Sequence, residues 1–167
     1  MGKNENFLIR DTKCESNGQG GIYLDGDVEQ GIFDGNEIAD NIGTQNLTAG
    51  ITLSSIHIVS FDTTANPWYD EPLADKLESP HDLLFIHNFI HDNHSSGIYS
   101  DGSYCNYYVE NNLEDNDKEG LCFDYGSFGN FVSGNTVSRN GGRFRQADAD
   151  LKRDFIYDMG RLKDGRD

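Results

Sequence analysis

Asn88-Phe-Ile90-His-Asp-Asn93 and Asn111-Asn-Leu113-Glu-Asp-Asn116 decide the fold of this chain, because the second stretch repeats the first after 23 residues. The shared pattern is Asn-x-apolar-x-x-Asn. Two further copies and one degenerate copy complete the set: Asn36-Glu-Ile38-Ala-Asp-Asn41, Asn135-Thr-Val137-Ser-Arg-Asn140 and Thr12-Lys-Cys14-Glu-Ser-Asn17. Glycine and an apolar residue follow four of the copies, at Gly21-Ile22, Gly50-Ile51, Gly97-Ile98 and Gly120-Leu121. A repeat of this length is typical of a solenoid, in which each repeat forms one coil.

The pattern means that equivalent residues stack in columns from coil to coil. Strands of successive coils lie about 4.8 Å apart, so the apolar residues of the repeat fill the interior. We expect the Asn columns at the bends to pair their amides with the backbone and with each other. We expect glycine to supply the tight corner. The sequence therefore predicts an all-β parallel β-helix of about five coils, with Cys14 as a small apolar member of one core column.

Composition and charge restrict the partners of the molecule. The hydrophobic fraction of 35% and the 19 glycines favour a turn-rich fold, and no apolar run is long enough to span a membrane. The first residues do not resemble a signal peptide. The formal net charge is −16, and residues 1–117 carry 21 acidic against 4 basic side chains. Such an acidic body repels nucleic acids and anionic membranes, so we expect neither as a partner.

The repeats resemble those of right-handed parallel β-helix proteins of the pectate-lyase-like superfamily, the PbH1 type of repeat, over roughly residues 6–142. That superfamily includes polysaccharide lyases, glycoside hydrolases, sugar epimerases and non-catalytic adhesins or phage fibre segments. The resemblance is specific for the fold and much less so for an activity. Because such proteins are mostly exported, it also implies an extracellular or cell-surface location. It implies no particular oligomeric state.

Two segments depart from regular winding. We assign residues 1–146 to the coils, with an insertion at about 55–82 that forms either a lateral loop or one irregular extra coil. Residues 147–167 are predicted to form an amphipathic α-helix, over 147–162, and the start of a further coil or a cap. The chain opens almost at once into an apolar strand, and an uncovered solenoid edge invites aggregation, so we expect a fragment of a longer protein.

Strand alternation selects the candidate site. If Ile98 and Ser100 face the core, Tyr99 and Asp101 point outward. The same alternation on the next coil makes Asp124 point outward. Asp101 and Asp124 are then neighbours in one column, about 5 Å apart, where they repel unless a cation such as Ca²⁺ bridges them or one keeps its proton. The structural alternative is that Asp101-Gly102 is a turn dipeptide and Asp124 shapes a turn as well.

The resemblance implies a chemistry for these residues. In a lyase of this superfamily Asp101 and Asp124 would hold the cation, and Arg143 or Arg145 would neutralise the uronate or act as the base. Tyr99 would line the groove, and Trp68 and Tyr69 in the insertion would stack on a sugar ring or simply pin the loop. A hydrolase would use the two aspartates as acid and as nucleophile or base. The alternatives are a non-catalytic polysaccharide-binding stalk, and a structural segment whose active site lies in other coils.

Overall fold

The computed structural model confirms the parallel β-helix. It describes residues 4–42, 49–54, 79–124, 127–141, 145–146, 155–156 and 162–163, and these ranges contain strands, bends and turns but no helix. No helix in these ranges is therefore long and apolar enough to cross a membrane.

Three parallel sheets form the faces of the solenoid, and each coil gives one strand to each face. The first sheet contains β2 (Leu8–Arg10), β6 (Ile32–Asp34), β9 (Leu84–Ile86), β12 (Tyr107–Val109), β15 (Phe131–Ser133) and β18 (Phe155–Ile156). The second contains β3 (Lys13–Glu15), β7 (Glu37–Ala39), β10 (Phe89–His91), β13 (Asn112–Glu114), β16 (Thr136–Ser138) and β19 (Leu162–Lys163). The third contains β4 (Ile22–Asp25), β8 (Ile51–Ser54), β11 (Ile98–Asp101), β14 (Leu121–Asp124) and β17 (Arg145–Gln146).

A fourth, narrower ladder joins the third sheet to the first along the coil. It begins with β1 (Asn4–Glu5) paired to β5 (Val28–Glu29). Single bridges continue it from Glu29 to His81, from His81 to Tyr104 and from Tyr104 to Phe128.

The predicted core columns are confirmed by the strand register. Ile38 pairs with Cys14 and Ile90, Ile90 with Leu113, and Leu113 with Val137, all in the second sheet. Cys14 packs against the buried cluster as an apolar residue. In the first sheet the rings of Phe33, Phe85 and Tyr108 stack with centroids 4.7 and 5.1 Å apart. Because every coil adds one residue to each column, the core is continuous through the solenoid.

Two ladders of asparagines, all buried except Asn17, hold the coils in register, as predicted. In the ladder Asn17–Asn41–Asn93–Asn116–Asn140, each Nδ2 donates to the Oδ1 of the next residue at 2.8–3.0 Å. The ladder Asn36–Asn88–Asn111–Asn135 does the same at 2.8–2.9 Å. Each Oδ1 also accepts the backbone N–H of the preceding residue of its ladder. The side chains thereby satisfy backbone groups that the bends bury.

The direct pairing of β6 with β9, β7 with β10 and β8 with β11 excludes an extra coil between them. Residues 55–78 lie outside the described residues, whereas residues 79–82 belong to the coil that continues into β9.

The helix predicted over residues 147–162 is not confirmed. Phe155–Ile156 is a strand that pairs with Phe131–Val132, and Leu162–Lys163 pairs with Val137–Ser138. The remaining residues of the segment lie outside the described part. The apolar spacing of this segment fits both a helix and a further coil, and pairing with residues about one repeat earlier along the chain outweighs the local helical pattern.

Candidate functional site

The outer face of the third sheet carries the two columns that contain the predicted site residues. The first column is Tyr23, Thr52, Tyr99, Cys122 and Arg145, which the strand register places side by side on successive coils. The second, which we call the aspartate column, contains Asp25, Ser54, Asp101 and Asp124 in the same register. The predicted neighbourhood of Asp101 and Asp124 is therefore present in the backbone pairing of β11 and β14.

This face is more buried than its outward orientation predicts. Tyr23 on the first coil is 53% exposed, but Tyr99, Cys122 and Asp101 are buried, and Asp101 is only 2% exposed. Tyr99 and Cys122 do not belong to the main core; they form a separate buried cluster with Ala49, the residue two positions before β8. Strand alternation predicts that these side chains point outward, and the structure shows them buried; Tyr99 and Cys122 pack with Ala49.

The inner side of β11 is polar next to Asp101. The buried hydroxyls of Ser100 and Ser103 are hydrogen-bonded to each other, and the Ser127 hydroxyl donates to the carbonyl oxygen of Ser100 at 2.9 Å. Gly102 has a φ of 64°, so the Asp101-Gly102 turn predicted as the structural alternative is present as well. Hydroxyls and turn together fix the end of the strand that carries Asp101.

Burial changes the chemistry that a carboxylate can perform in the aspartate column. Asp25 lies at the exposed end of this column. Partial burial raises the pKa of its carboxyl, and a hydrogen bond from the backbone N–H of Gly26 lowers it by a smaller amount. Asp101, at 2% exposure, is much more removed from water than Asp25. The side chain of Asp124 lies outside the described part of the chain, so the repulsion between the two carboxylates stays a prediction.

The other predicted site residues are only partly described. Arg145 lies in β17 with its Cα beside that of Cys122, one strand beyond the Asp101–Asp124 pair. The side chains of Asp124 and Arg145 lie outside the described part of the chain, as do Arg143, Trp68 and Tyr69 as whole residues.

A second cluster of ionisable groups, which the sequence analysis missed, lies on the fourth ladder. We call Asp27, Glu29, His81 and Asp82 the histidine cluster. His81 Nε2 lies 3.1 Å from Glu29 Oε2 and 3.9 Å from Asp27 Oδ1, and its Nδ1 lies 2.9 Å from Asp82 Oδ2. Burial, followed by the charge of Asp82, raises the pKa of the neighbouring Tyr104 to about 12. The 52-residue step from Glu29 to His81 equals that from Asn36 to Asn88, so the repeat could have revealed this neighbourhood.

Two further surface features run along the other sheets. On the first sheet an apolar stripe joins Leu8, Ile32, Leu84, Tyr107 and Phe131 in one register column, and Tyr107 is 48% exposed. On the second sheet Arg139 forms ion pairs with Glu114 and Asp115, both at 2.6 Å. These hydrogen bonds hold the pKa of Asp115 below its ordinary value.

Comparison with known proteins agrees with this architecture. A family model described as "Right handed beta helix region" matches residues 1–149. Among solved structures, the A-module of the mannuronan C-5 epimerase AlgE4 from Azotobacter vinelandii is similar, with 15% sequence identity and a TM-score of 0.39. The alignment covers 95% of this chain and 57% of that module, so the chain spans little more than half of the module's length. A search of curated proteins by sequence finds no match.

Proposed function

The chain belongs to the right-handed β-helix family, and we propose that it acts on an acidic polysaccharide at the outer face of its third sheet. The reaction would be that of a lyase or a glycoside hydrolase. The proposal rests on one observation: Asp101, a carboxylate with 2% exposure, is paired in register with Asp124 on the next strand. A carboxylate removed from water is stabilised by hydrogen bonds within the protein, by a cation, by a proton or by a bound substrate.

In the lyase form, the uronate carboxylate is neutralised so that the proton on the adjacent carbon becomes more acidic. Arg145, one strand beyond the aspartate pair, and Arg143, two residues earlier, are the candidates for neutraliser and base. A guanidinium binds a carboxylate with two parallel hydrogen bonds, which also fixes the orientation of the sugar. The base removes the proton, and the glycosidic oxygen leaves as the double bond forms. Tyr99, predicted to line the groove, lies beside Cys122 in the neighbouring column and is only 9% exposed, so it offers little surface to the chain of sugars.

Two aspartates on adjacent strands supply oxygen ligands of the kind that Ca²⁺ prefers. If Ca²⁺ binds there, it supplies the positive charge that neutralises the uronate. Two carboxylates offer at most four of the six to eight oxygens that Ca²⁺ takes, so water or substrate must supply the others.

In the hydrolase form, Asp101 and Asp124 would act as the acid and as the nucleophile or base. A retaining enzyme needs its two carboxyl groups about 5–5.5 Å apart, and an inverting enzyme about 6.5–9.5 Å. The anomeric configuration of the first product distinguishes the two mechanisms.

The second candidate is a non-catalytic polysaccharide-binding segment, and the apolar stripe of the first sheet favours it. Its side chains follow one another at the strand spacing through five coils, which offers a repeating surface to a repeating ligand. Tyr107 and Phe131 have ring centroids 6.0 Å apart and could both contact one chain of sugars.

The test compares wild type, Asp101→Asn, Asp124→Asn and the matched control Asp25→Asn, which changes the exposed end of the same column. Each protein is incubated with polyuronates of different linkage, with Ca²⁺ or with chelator. Ultraviolet absorbance of the new double bond reports a lyase, and new reducing ends without that absorbance report a hydrolase. We expect product from wild type and Asp25→Asn, and a loss of at least about 100-fold in the other two.

Thermal melting of the same proteins tests the cation separately. Ca²⁺ at about 100 times its dissociation constant would stabilise wild type by about 2.7 kcal/mol, and the Asp101→Asn/Asp124→Asn double variant would lose that gain. Undiminished turnover in the double variant would refute the proposed site. The non-catalytic binding segment would be established instead if the protein binds polysaccharide without turnover, and if Tyr107→Ser abolishes that binding while the double variant keeps it.

A further inference from the structure

The histidine cluster lies on the fourth ladder, two residues along the chain from Asp25 of the aspartate column, at the point where the described chain resumes after residues 55–78. Asp27 lies in the turn after β4, and Glu29 lies in β5. His81, which is on the next coil, forms a β-bridge with Glu29. Two segments that lie more than 50 residues apart in sequence thus meet at one imidazole.

The geometry of the cluster is that of a ligand set. His81 Nε2 and one carboxylate oxygen each from Asp27 and Glu29 lie within 4.8 Å of one another. His81 is 9% exposed, and the side chain of Glu29 is 12% exposed. The side chain of Asp27 is 33% exposed, so the group is open to solvent on that side. A cation can therefore enter the site and keep one or more water ligands.

The imidazole of His81 is held from its other side. Asp82 Oδ2 contacts Nδ1 at 2.9 Å, and the ring of Tyr104 stacks on the imidazole with centroids 4.7 Å apart and planes 14° apart. A carboxylate on the far nitrogen is the arrangement that fixes the tautomer and orientation of histidines that bind metals.

Both nitrogens of this buried ring therefore face carboxylate oxygens. A neutral imidazole has only one N–H and donates to only one of them. With Nδ1–H directed at Asp82, the lone pair of Nε2 faces Glu29 at 3.1 Å, an arrangement that a cation between the two groups makes favourable. A metal ion that also contacts Asp27 would be such a cation.

We propose that Asp27, Glu29 and His81 bind a divalent transition-metal cation of the Zn²⁺ or Mn²⁺ class, with Asp82 as the positioning residue for His81. An imidazole nitrogen with two carboxylate oxygens suits these ions better than Ca²⁺, which takes oxygen ligands. Three protein ligands leave at least one coordination position to water. The bound cation joins the coil of β5 to the first residues after the insertion, so it stabilises the place where the insertion returns.

The test is titration of chelator-stripped protein with ZnCl₂ and MnCl₂, followed by calorimetry and by thermal melting. We expect one ion per chain and a higher melting temperature. His81→Gln should abolish both effects, and Asp82→Asn should weaken affinity about 10- to 100-fold because it removes the orienting contact. The controls are His91→Gln, which removes a histidine of the second sheet, and the Asp101→Asn/Asp124→Asn double variant; both should bind as wild type does. The double variant separates this site from the proposed catalytic site.

A second readout covers the case in which His81→Gln does not fold. Co²⁺ bound by the wild-type protein gives a visible absorption spectrum, and Asp27→Asn, a substitution at a partly exposed position, should weaken and shift it. Failure of all three ions to bind wild type would overturn the proposal, as would binding that none of the cluster variants changes. A His81 that NMR shows protonated on both nitrogens, and that keeps both protons in the presence of Zn²⁺, would overturn it too.

Discussion

Asn93 is the best place to test whether the asparagine ladders hold the solenoid together. Its side chain is buried and makes five hydrogen bonds, three donated by Nδ2 and two accepted by Oδ1. Asn93→Ala removes the acceptor of the buried backbone N–H of Asn41 and a donor to the carbonyl oxygen of Ile38. Each buried polar group that loses its partner costs about 1–3 kcal/mol, so two such groups together with the lost ladder bonds predict a destabilisation of about 3–5 kcal/mol.

The matched control is Asn17→Ala at the exposed end of the same ladder. Asn17 donates from Nδ2 to Asn41 Oδ1 at 2.8 Å, and its backbone N–H donates to the same oxygen at 3.2 Å. The substitution removes the first bond and leaves the second. We expect a loss of only about 0.5–1.5 kcal/mol, the net value of one hydrogen bond.

Urea unfolding followed by far-ultraviolet circular dichroism measures both changes. The expected result is a large drop in the midpoint for Asn93→Ala and a small one for Asn17→Ala. If breaking the ladder uncouples the coils on its two sides, the slope of the transition should also fall, because less surface unfolds in one step. Equal midpoints for the two variants would refute the ladder as a major source of stability.

Two further changes test the spacing of the coils and the surface charges. Gly97→Ala should destabilise the protein by about 2–3 kcal/mol, because a Cβ there would lie 2.6 Å from the carbonyl oxygen of Gly120. Gly18→Ala, where no atom lies within 4 Å of the new Cβ, should leave the urea midpoint unchanged, and a similar loss in both variants would contradict the packing argument. Arg139→Gln should raise the pKa of the Asp115 carboxyl toward its ordinary value, as measured by NMR titration. Because the pKa of Asp115 is lowered in the folded state, the ion pair stabilises the protein at pH values above the unfolded-state pKa of Asp115. This contribution is lost as the pH falls through the folded-state pKa. An Asp115 titration that Arg139→Gln leaves unchanged would contradict the pairing.

The repeat was sufficient to predict the columns of the solenoid. Ile38, Ile90 and Leu113 stack as their spacing requires, because a chain that winds with a constant period has only one way to align its apolar positions. The pairing of Asp101 with Asp124 followed from the same period and from strand alternation. The histidine cluster obeyed that period too, but the insertion concealed it.

What the sequence by itself determined is therefore the fold, the identity of the columns and the neighbourhood of the two aspartates. The tertiary structure decided which outward side chains are withdrawn from water: Tyr99 packs with Cys122 and with Ala49, a residue 50 positions earlier in the chain, and Asp101 is only 2% exposed. It also decided that Phe155 and Leu162 add strands to the solenoid, where local spacing alone predicted a helix. The physical reason is the same in both cases: short-range patterns record which face of an element is apolar, whereas pairing and burial are set by residues one or more coils away.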